Sequence, residues 1–237
     1  MMAHRAQARA GSQSPAPQAI MVSGIRPQPE TDVLNDSAPR NGARLLFART
    51  FFRNPIMLGS VIPSSRFLIK GVLEPLDLQR ARVIVEYGPG VGTITRDLLE
   101  RMHPEAKLIV IEMNVEFVRF LRQAFRDERL VVVEGSAADV RSVLAKNGFS
   151  HADYVISGIP LGSMPVAIRE HIVQETRAAL APGGAFMVYQ FTSRVLPELQ
   201  RVFEEVKHGR EWLNVLPAHL FYCKPAQPAR NGAAAHG

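Results

Sequence analysis

The chain of 237 residues holds a single cysteine, Cys223, has no uninterrupted apolar run long enough to cross a bilayer, and shows no internal repeat. One cysteine excludes an internal disulfide framework and a cysteine-based zinc site, and it fits a reducing compartment. The longest apolar stretch free of Asp, Glu, Lys and Arg, residues 178–193, is broken by Pro182, Gly183 and Gly184. It falls short of the roughly 18 residues that a membrane span requires. The amino-terminal region carries Arg5 and Arg9 but no continuous apolar segment before Pro15 and Pro17, so no secretory signal is read there. These absences point to a cytoplasmic protein that would touch a membrane only from its surface.

What is present suffices for one core: 46% of the residues are hydrophobic and 21% charged, which excludes a collagenous, coiled-coil or wholly disordered chain. The formal charge of +6 and pI near 9.9 admit two anionic partners, nucleic acid and a phospholipid surface. Its placement is uneven. Residues 44–82 carry +5, whereas 83–150 carry −1 and 151–224 are neutral. Residues 1–43 and 225–237 are poor in large apolar groups and read as disordered tails, because they cannot bury enough surface to offset their ordering entropy. One domain is therefore expected over 44–224.

Within it, short apolar runs alternate with longer amphipathic segments. VIVEY (83–87), LIVIE (108–112), LVVVE (130–134), DYVIS (153–157) and AFMVYQF (185–191) have the Val- and Ile-rich character of buried parallel strands. Residues 93–102, 115–126, 166–180 and 197–206 have helical spacing and length. Strands alternating with helices imply an α/β fold with a doubly wound, mostly parallel sheet and helices on both faces. NVLPAHLFYCK (214–224) reads as a late edge strand, since Pro217 cannot sit in a central ladder.

The first strand leads into VEYGPGVGTITRDLL (85–99). Gly88, Gly90 and Gly92 let the backbone turn tightly and approach a ligand, and Thr93 or Thr95 can cap the following helix. Twenty residues after Gly92, at the end of the next strand, Glu112 is placed to accept both hydroxyls of a ribose. The spacing Gly-x-Gly-x-Gly departs from the dinucleotide fingerprint, and Glu86 precedes it. A carboxylate there would repel a pyrophosphate but not a cationic, amino-acid-bearing cofactor. These residues resemble the class I S-adenosylmethionine-dependent methyltransferases, over roughly 83–191. The resemblance implies a Rossmann-like fold and S-adenosyl-L-methionine as cofactor. Glu86, Tyr87 and the loop Gly88–Gly92 with Thr93 would border its methionine half, Glu112 its ribose and Met113 one adenine face. Ser136 and Ala137 would lie at the adenine edge, with Ser136 or Asp139 making the hydrogen bond there.

After the fourth strand stands SGIPLGSMP (157–165). Amino-methyltransferases usually place an Asn or Asp there to grip a planar amine, and Ser157 stands in its place. With GSVIPSSRFL (59–68) and VYQFTS (188–193), the chain looks like the bacterial phospholipid N-methyltransferases, relatives of the ribosomal RNA adenine dimethylases, over about 44–224. The RNA enzymes carry a further helical domain, where a short tail is expected here. The resemblance implies methylation of an aminophospholipid, phosphatidylethanolamine toward phosphatidylcholine. Deprotonating an alkylammonium of pKa about 10.4 at pH 7 costs roughly 4–5 kcal/mol, so the site needs a proton acceptor. Tyr189, Tyr87 and the carbonyls of Ser157, Gly158, Ile159 and Pro160 are the candidates, Tyr189 foremost as an orienter or relay; it can equally be a packed strand residue. Tyr87 and Phe191 offer aromatic faces to a quaternary ammonium, although core packing accounts for Phe191 as well. Arg194 either pairs with the lipid phosphate or is a solvated charge at a helix start.

RLLFARTFFR (44–53), drawn on a helical wheel, gathers Leu45, Phe47, Ala48, Phe51 and Phe52 on one arc, opposite Arg49 and Arg53. Such a helix can lie in an anionic headgroup layer, or it can close over the cofactor pocket as a lid. Adsorption to the inner face of the cell membrane is the expected placement, and the local charge argues against nucleic acid as the partner. The competing functions are an RNA adenine N6-methyltransferase and a membrane-adsorbing module with a vestigial cofactor site.

Overall fold

A computed structural model of the chain describes residues 65–213 and 217–226. The expected tails over 1–43 and from 227 onward lie outside the described residues, as does the basic segment 44–53 with Phe47, Arg49, Phe51, Phe52 and Arg53. The described elements run α1 (Arg66–Leu73), β1 (Val83–Tyr87), α2 (Thr93–Arg101), β2 (Lys107–Glu112), α3 (Val115–Ala124), β3 (Leu130–Glu134), α4 (Val140–Lys146), β4 (Ala152–Ser157), α5 (Val166–Ala179), β5 (Leu180–Gln190), α6 (Leu196–Val202), β6 (Glu205–Glu211) and β7 (Ala218–Lys224).

The seven strands form one sheet in the order β3-β2-β1-β4-β5-β7-β6. β1 to β5 are mutually parallel, while β7 is antiparallel to both β5 and β6. The central strands are apolar on both faces because helices cover both. Leu68, Val72, Ile94, Leu98 and Leu121 from α1, α2 and α3 pack against Ile84, Leu108, Val110, Ile156 and Met187. On the opposite face Val140, Val143, Leu144, Ile172, Val173 and Leu199 from α4, α5 and α6 meet Val85, Ile109, Val155 and Phe186. This is the expected doubly wound α/β architecture. No helix among the described residues is long and apolar enough to cross a membrane.

Two short helices, α1 and α4, lie outside the segments expected to be helical, and the other differences from expectation concentrate after residue 180. β5 starts at Leu180 rather than 185, with a register shift opposite Asp153 where Gly184 lies too close to the Asp153 carbonyl to carry a side chain. β5 ends at Gln190, which leaves Phe191 outside the strand and 40% exposed, not packed in the core. α6 stops at Val202, and the polar stretch EVKHGRE forms the edge strand β6. β7 is consequently an interior strand, not an edge; Pro217 precedes its first ladder position and deprives it of no hydrogen bond.

The parallel strands point their carboxyl ends to one side of the sheet, delivering the loops 88–92, 113–114, 135–139, 158–165 and 191–195 to a single crevice. That is where open α/β sheets bind ligands.

Candidate active site

The glycine turn is built by close approach as well as by dihedral angle. Gly88, Gly90 and Gly92 all have φ between 56° and 76°. A side chain at Gly88 would strike Ile159, and one at Gly92 would strike the Phe125 ring. The turn thus packs between the loop after β4 and the end of α3. Gly92 itself occupies the cap position of α2, with no side-chain cap hydrogen bond. Neither threonine caps the helix: Thr93 is its first residue, and the Thr95 hydroxyl donates instead to Glu86 Oε2 at 2.6 Å.

Two carboxylates lie buried at this turn. Glu86 is 2% exposed and Glu112 is 4% exposed, and among the described residues neither belongs to an ion pair. Burial raises the Glu86 pKa to about 7; the Thr95 hydrogen bond opposes the rise and the Glu112 charge adds to it. Burial also raises Glu112, against hydrogen bonds from the Asn114, Gly90 and Met113 amides. Gly90 N donates to Glu112 Oε2 at 3.3 Å and Asn114 N donates to Oε1 at 2.8 Å, so this carboxylate ties the turn to the exit of β2. Two desolvated acids without a cation form a cradle suited to a cationic ligand that also carries hydroxyls. Met113 is half-buried beside them. Ser136 accepts from the Ala138 amide at 3.2 Å and shapes the turn after β3, with Ala137 buried there and Asp139 exposed.

Tyr87 turns away from Glu86. Its side chain is fully buried on the α5 face, where its hydroxyl shares a 3.1 Å hydrogen bond with Thr176, and burial raises its pKa. The ring therefore offers no face to an ammonium, and the hydroxyl is no accessible proton acceptor. Alternation along β1 sends residues 86 and 87 to opposite faces.

The loop after β4 meets the end of β5. Gly158 lies so close to the Tyr189 hydroxyl that a side chain at 158 would collide with it. Gln190, which the sequence reading passed over, holds the loop from both of its amide atoms: Oε1 accepts from Gly162 N at 3.0 Å and Nε2 donates to the Ile159 carbonyl at 2.6 Å. The Ile159 carbonyl also accepts from Leu161 N, and the Pro160 carbonyl accepts from Ser163 N. Of the four candidate carbonyls, these two are already bonded. Ser157 is fully buried, and its hydroxyl has no hydrogen-bond partner among the described residues, a cost of about 1–3 kcal/mol that ordinary packing avoids. Arg194 is exposed, two residues ahead of α6, with its Cβ near Gly162 of the same loop. Thr95 was read only as a helix cap, and Asn114 and Gln190 carried no motif signal; Gln190 betrays itself only as a polar residue closing the apolar run AFMVYQ.

With this geometry in view, comparison with known proteins is informative. A family model described as ribosomal RNA adenine dimethylase matches residues 52–190. An ornithine lipid N-methyltransferase from Singulisphaera acidiphila is 34% identical over 187 residues, covering 76% of this chain and 94% of that protein. A ribosomal RNA small subunit methyltransferase A from Mycoplasma capricolum is 32% identical over 97 residues, covering 39% of this chain and only 34% of the relative. Among solved structures, human methyltransferase-like protein 13 in complex with SAH superposes with a TM-score of 0.55 at 18% identity, over 70% of this chain and 85% of that one. A spermidine synthase bound to a transition-state analogue gives 0.55 at 15% identity, over 69% and 62%. At those identities the structural likeness speaks for the fold.

Proposed function

The chain belongs to the ribosomal RNA adenine dimethylase family of S-adenosylmethionine-dependent methyltransferases, and from that premise we propose that it methylates the amine of a phospholipid headgroup, phosphatidylethanolamine toward phosphatidylcholine, at a membrane surface. S-adenosylmethionine is its cofactor, and when bound it supplies an electrophilic methyl on a sulfonium. The observation that carries the lipid reading is the near end-to-end similarity to a lipid N-methyltransferase, set against similarity to the RNA enzymes over a third of their length. Ser157 agrees: a hydroxyl stands where an amide would grip a nucleobase amine.

In this reading Glu86 and the turn Gly88–Gly92 with Thr93 hold the cationic methionine half, Glu112 takes the ribose hydroxyls, Met113 packs on the adenine, and Ser136 and Ala137 border its edge. Much of the rate comes from holding amine and methyl in line. The Tyr189 hydroxyl, packed over Gly158, accepts a hydrogen bond from the amine and relays its proton toward water; a phenol is too weak a base to keep it. Ser157 and the Gly158 carbonyl complete the acceptor side, and the Arg194 guanidinium pairs with the lipid phosphate. The basic segment 44–53 adsorbs to the anionic inner face of the cell membrane, each cation contributing roughly 1 kcal/mol.

The test is incubation with methyl-labelled S-adenosylmethionine and vesicles of phosphatidylethanolamine, vesicles of ornithine lipid, or ribosomal RNA. Label in phosphatidylethanolamine is expected. Label in ornithine lipid alone would move the substrate to that lipid, and label in RNA alone would overturn the reading. By calorimetry, Glu86→Ala or Glu112→Ala should abolish or greatly weaken cofactor binding.

A further inference from the structure

Six large apolar side chains are exposed among the described residues: Phe67, Phe120, Val166, Phe191, Trp212 and Leu213. Five of them gather at the carboxyl end of the parallel strands, around the crevice. Phe191 follows β5 directly, and Val166 opens α5 just past the acceptor loop. Trp212 and Leu213 follow β6, which runs in the direction of β5 because both are antiparallel to β7. Phe67 lies in the first turn of α1, whose far end leads down to Asp77 and Arg82, where backbone amides reach Tyr154 and Asp153 on β4.

The strongest concentration lies on the β5–β7–β6 side. Phe191, Arg210, Trp212, Pro217, Ala218 and His219 line an open hollow of about 350 Å³. On the β6–β7 ladder the rings of His208 and His219 stack with centroids 5.1 Å apart, and Arg210 pairs with His219 in the register. Trp212 is 63% exposed and Leu213 is 64% exposed, a cost that water-facing turns normally avoid. Two of the exposed rings have a cation beside them. The Arg210 guanidinium lies 5.5 Å from the Trp212 ring, and Arg66 lies 4.9 Å from the Phe67 ring. The nearest acid, Glu211, accepts from the Leu213 amide at 2.7 Å and so shapes the tip.

Exposed Trp, Phe and Leu interleaved with Arg match the boundary between headgroups and acyl chains, where an amphipathic ring is half wetted and a guanidinium meets phosphate. Arg210 and Arg66, each set beside an exposed ring, complement an anionic headgroup layer. We propose that this rim, Phe191 together with Arg210–Leu213, is a docking surface for an anionic phospholipid bilayer that brings the acceptor loop to headgroup depth. The inference rests on the lipid reading of the function for its substrate, yet it stands on residues other than the basic segment 44–53.

Trp212 is the sole tryptophan of the chain, which makes its fluorescence a specific reporter. The full-length protein is titrated with vesicles of phosphatidylcholine alone and of phosphatidylcholine with phosphatidylglycerol, with and without acyl-chain bromination. With the anionic vesicles the Trp212 emission should move to shorter wavelength and be quenched by the brominated chains. Trp212→Ala with Leu213→Ala should weaken vesicle sedimentation by about tenfold or more, while methylation of a short-chain, monomeric phosphatidylethanolamine is unchanged. An unshifted emission from protein that sediments with vesicles and methylates their lipid overturns the docking surface and leaves the function standing. Shift and quenching without methylation of any lipid do the reverse. A shift that follows protein concentration in the absence of vesicles would mean that the rim meets a second copy, and it too overturns the proposal.

Discussion

A carboxylate at 2% exposure beside a second buried carboxylate is tolerated only in its protonated form or with a cation brought in from outside. At Glu86 the folded-state pKa stands at about 7 against an ordinary 4.5. Below about pH 4.5 the folded and unfolded chains both keep the proton, and Glu86 costs nothing. As pH rises toward 7 the unfolded chain ionises first, so stability falls, by roughly 3 kcal/mol in all at 1.36 per unit, and then levels off. The cofactor-free protein should therefore lose Tm between pH 5 and 7, with Glu112 acting in the same direction. Glu86→Gln should flatten the decline and melt above the wild type at pH 8, while gaining no stability from S-adenosylmethionine. For the wild type, affinity for the cationic cofactor should rise through pH 7 as Glu86 ionises. Melting curves from pH 5 to 8, with and without cofactor, check this; equal slopes for the two proteins would remove Glu86 as the cause.

Between elements, the critical junction joins the end of β5 to the loop after β4. Gln190 satisfies Gly162 N and the Ile159 carbonyl in a buried setting, and stranding buried polar groups costs about 1–3 kcal/mol. Gln190→Ala should lower Tm by several degrees and raise KM for the lipid while leaving cofactor affinity near its original value. Gly158→Ala should displace Tyr189 and lower kcat with a smaller effect on Tm. Steady-state kinetics with calorimetry separate the two, and a loss of cofactor affinity in either variant would refute the division of the crevice into two halves. The same junction shows what sequence can convey. β1 to β4 were legible as Val- and Ile-rich apolar runs and α2, α3 and α5 by their helical spacing, with the glycine turn between β1 and α2; the short helices α1 and α4 were not read. Glu86, the glycines and Glu112 were legible as a motif. β6 was not: an edge strand owes its existence to the ladder with β7, and EVKHGRE has no apolar side to announce it. For that reason β7 was mistaken for the edge. Gln190 and Thr95 were illegible because their partners, Gly162, Ile159 and Glu86, meet them only once the sheet has formed.

Across the whole molecule, charge and chemistry occupy different places. The segment 83–224 that builds the sheet is within one unit of neutrality, while 44–82 holds five of the six net positive charges. An enzyme that tracked an RNA backbone would need cations along its crevice. There the buried ionisable groups at the glycine turn are two acids, and the exposed cations sit at the rim. Interleaved with Phe47, Phe51 and Phe52, Arg49 and Arg53 suit adsorption to lipid, at roughly 1 kcal/mol per charge. Such attraction is screened within about 10 Å at 0.1 M salt. Arg49→Gln with Arg53→Gln should consequently weaken sedimentation with anionic vesicles by about thirtyfold at low salt. Raising the salt to 0.5 M should weaken the wild type toward the same level. Cofactor affinity and melting temperature should not move, because Glu86 and Glu112, the carboxylates proposed to hold the cofactor, belong to the neutral body. Undiminished vesicle binding by the double variant would detach the charge excess from the membrane, whereas a parallel loss of cofactor affinity would make segment 44–53 a lid over the crevice. The two devices, basic segment and aromatic rim, predict additive losses when both are removed, since each would meet the bilayer through its own residues.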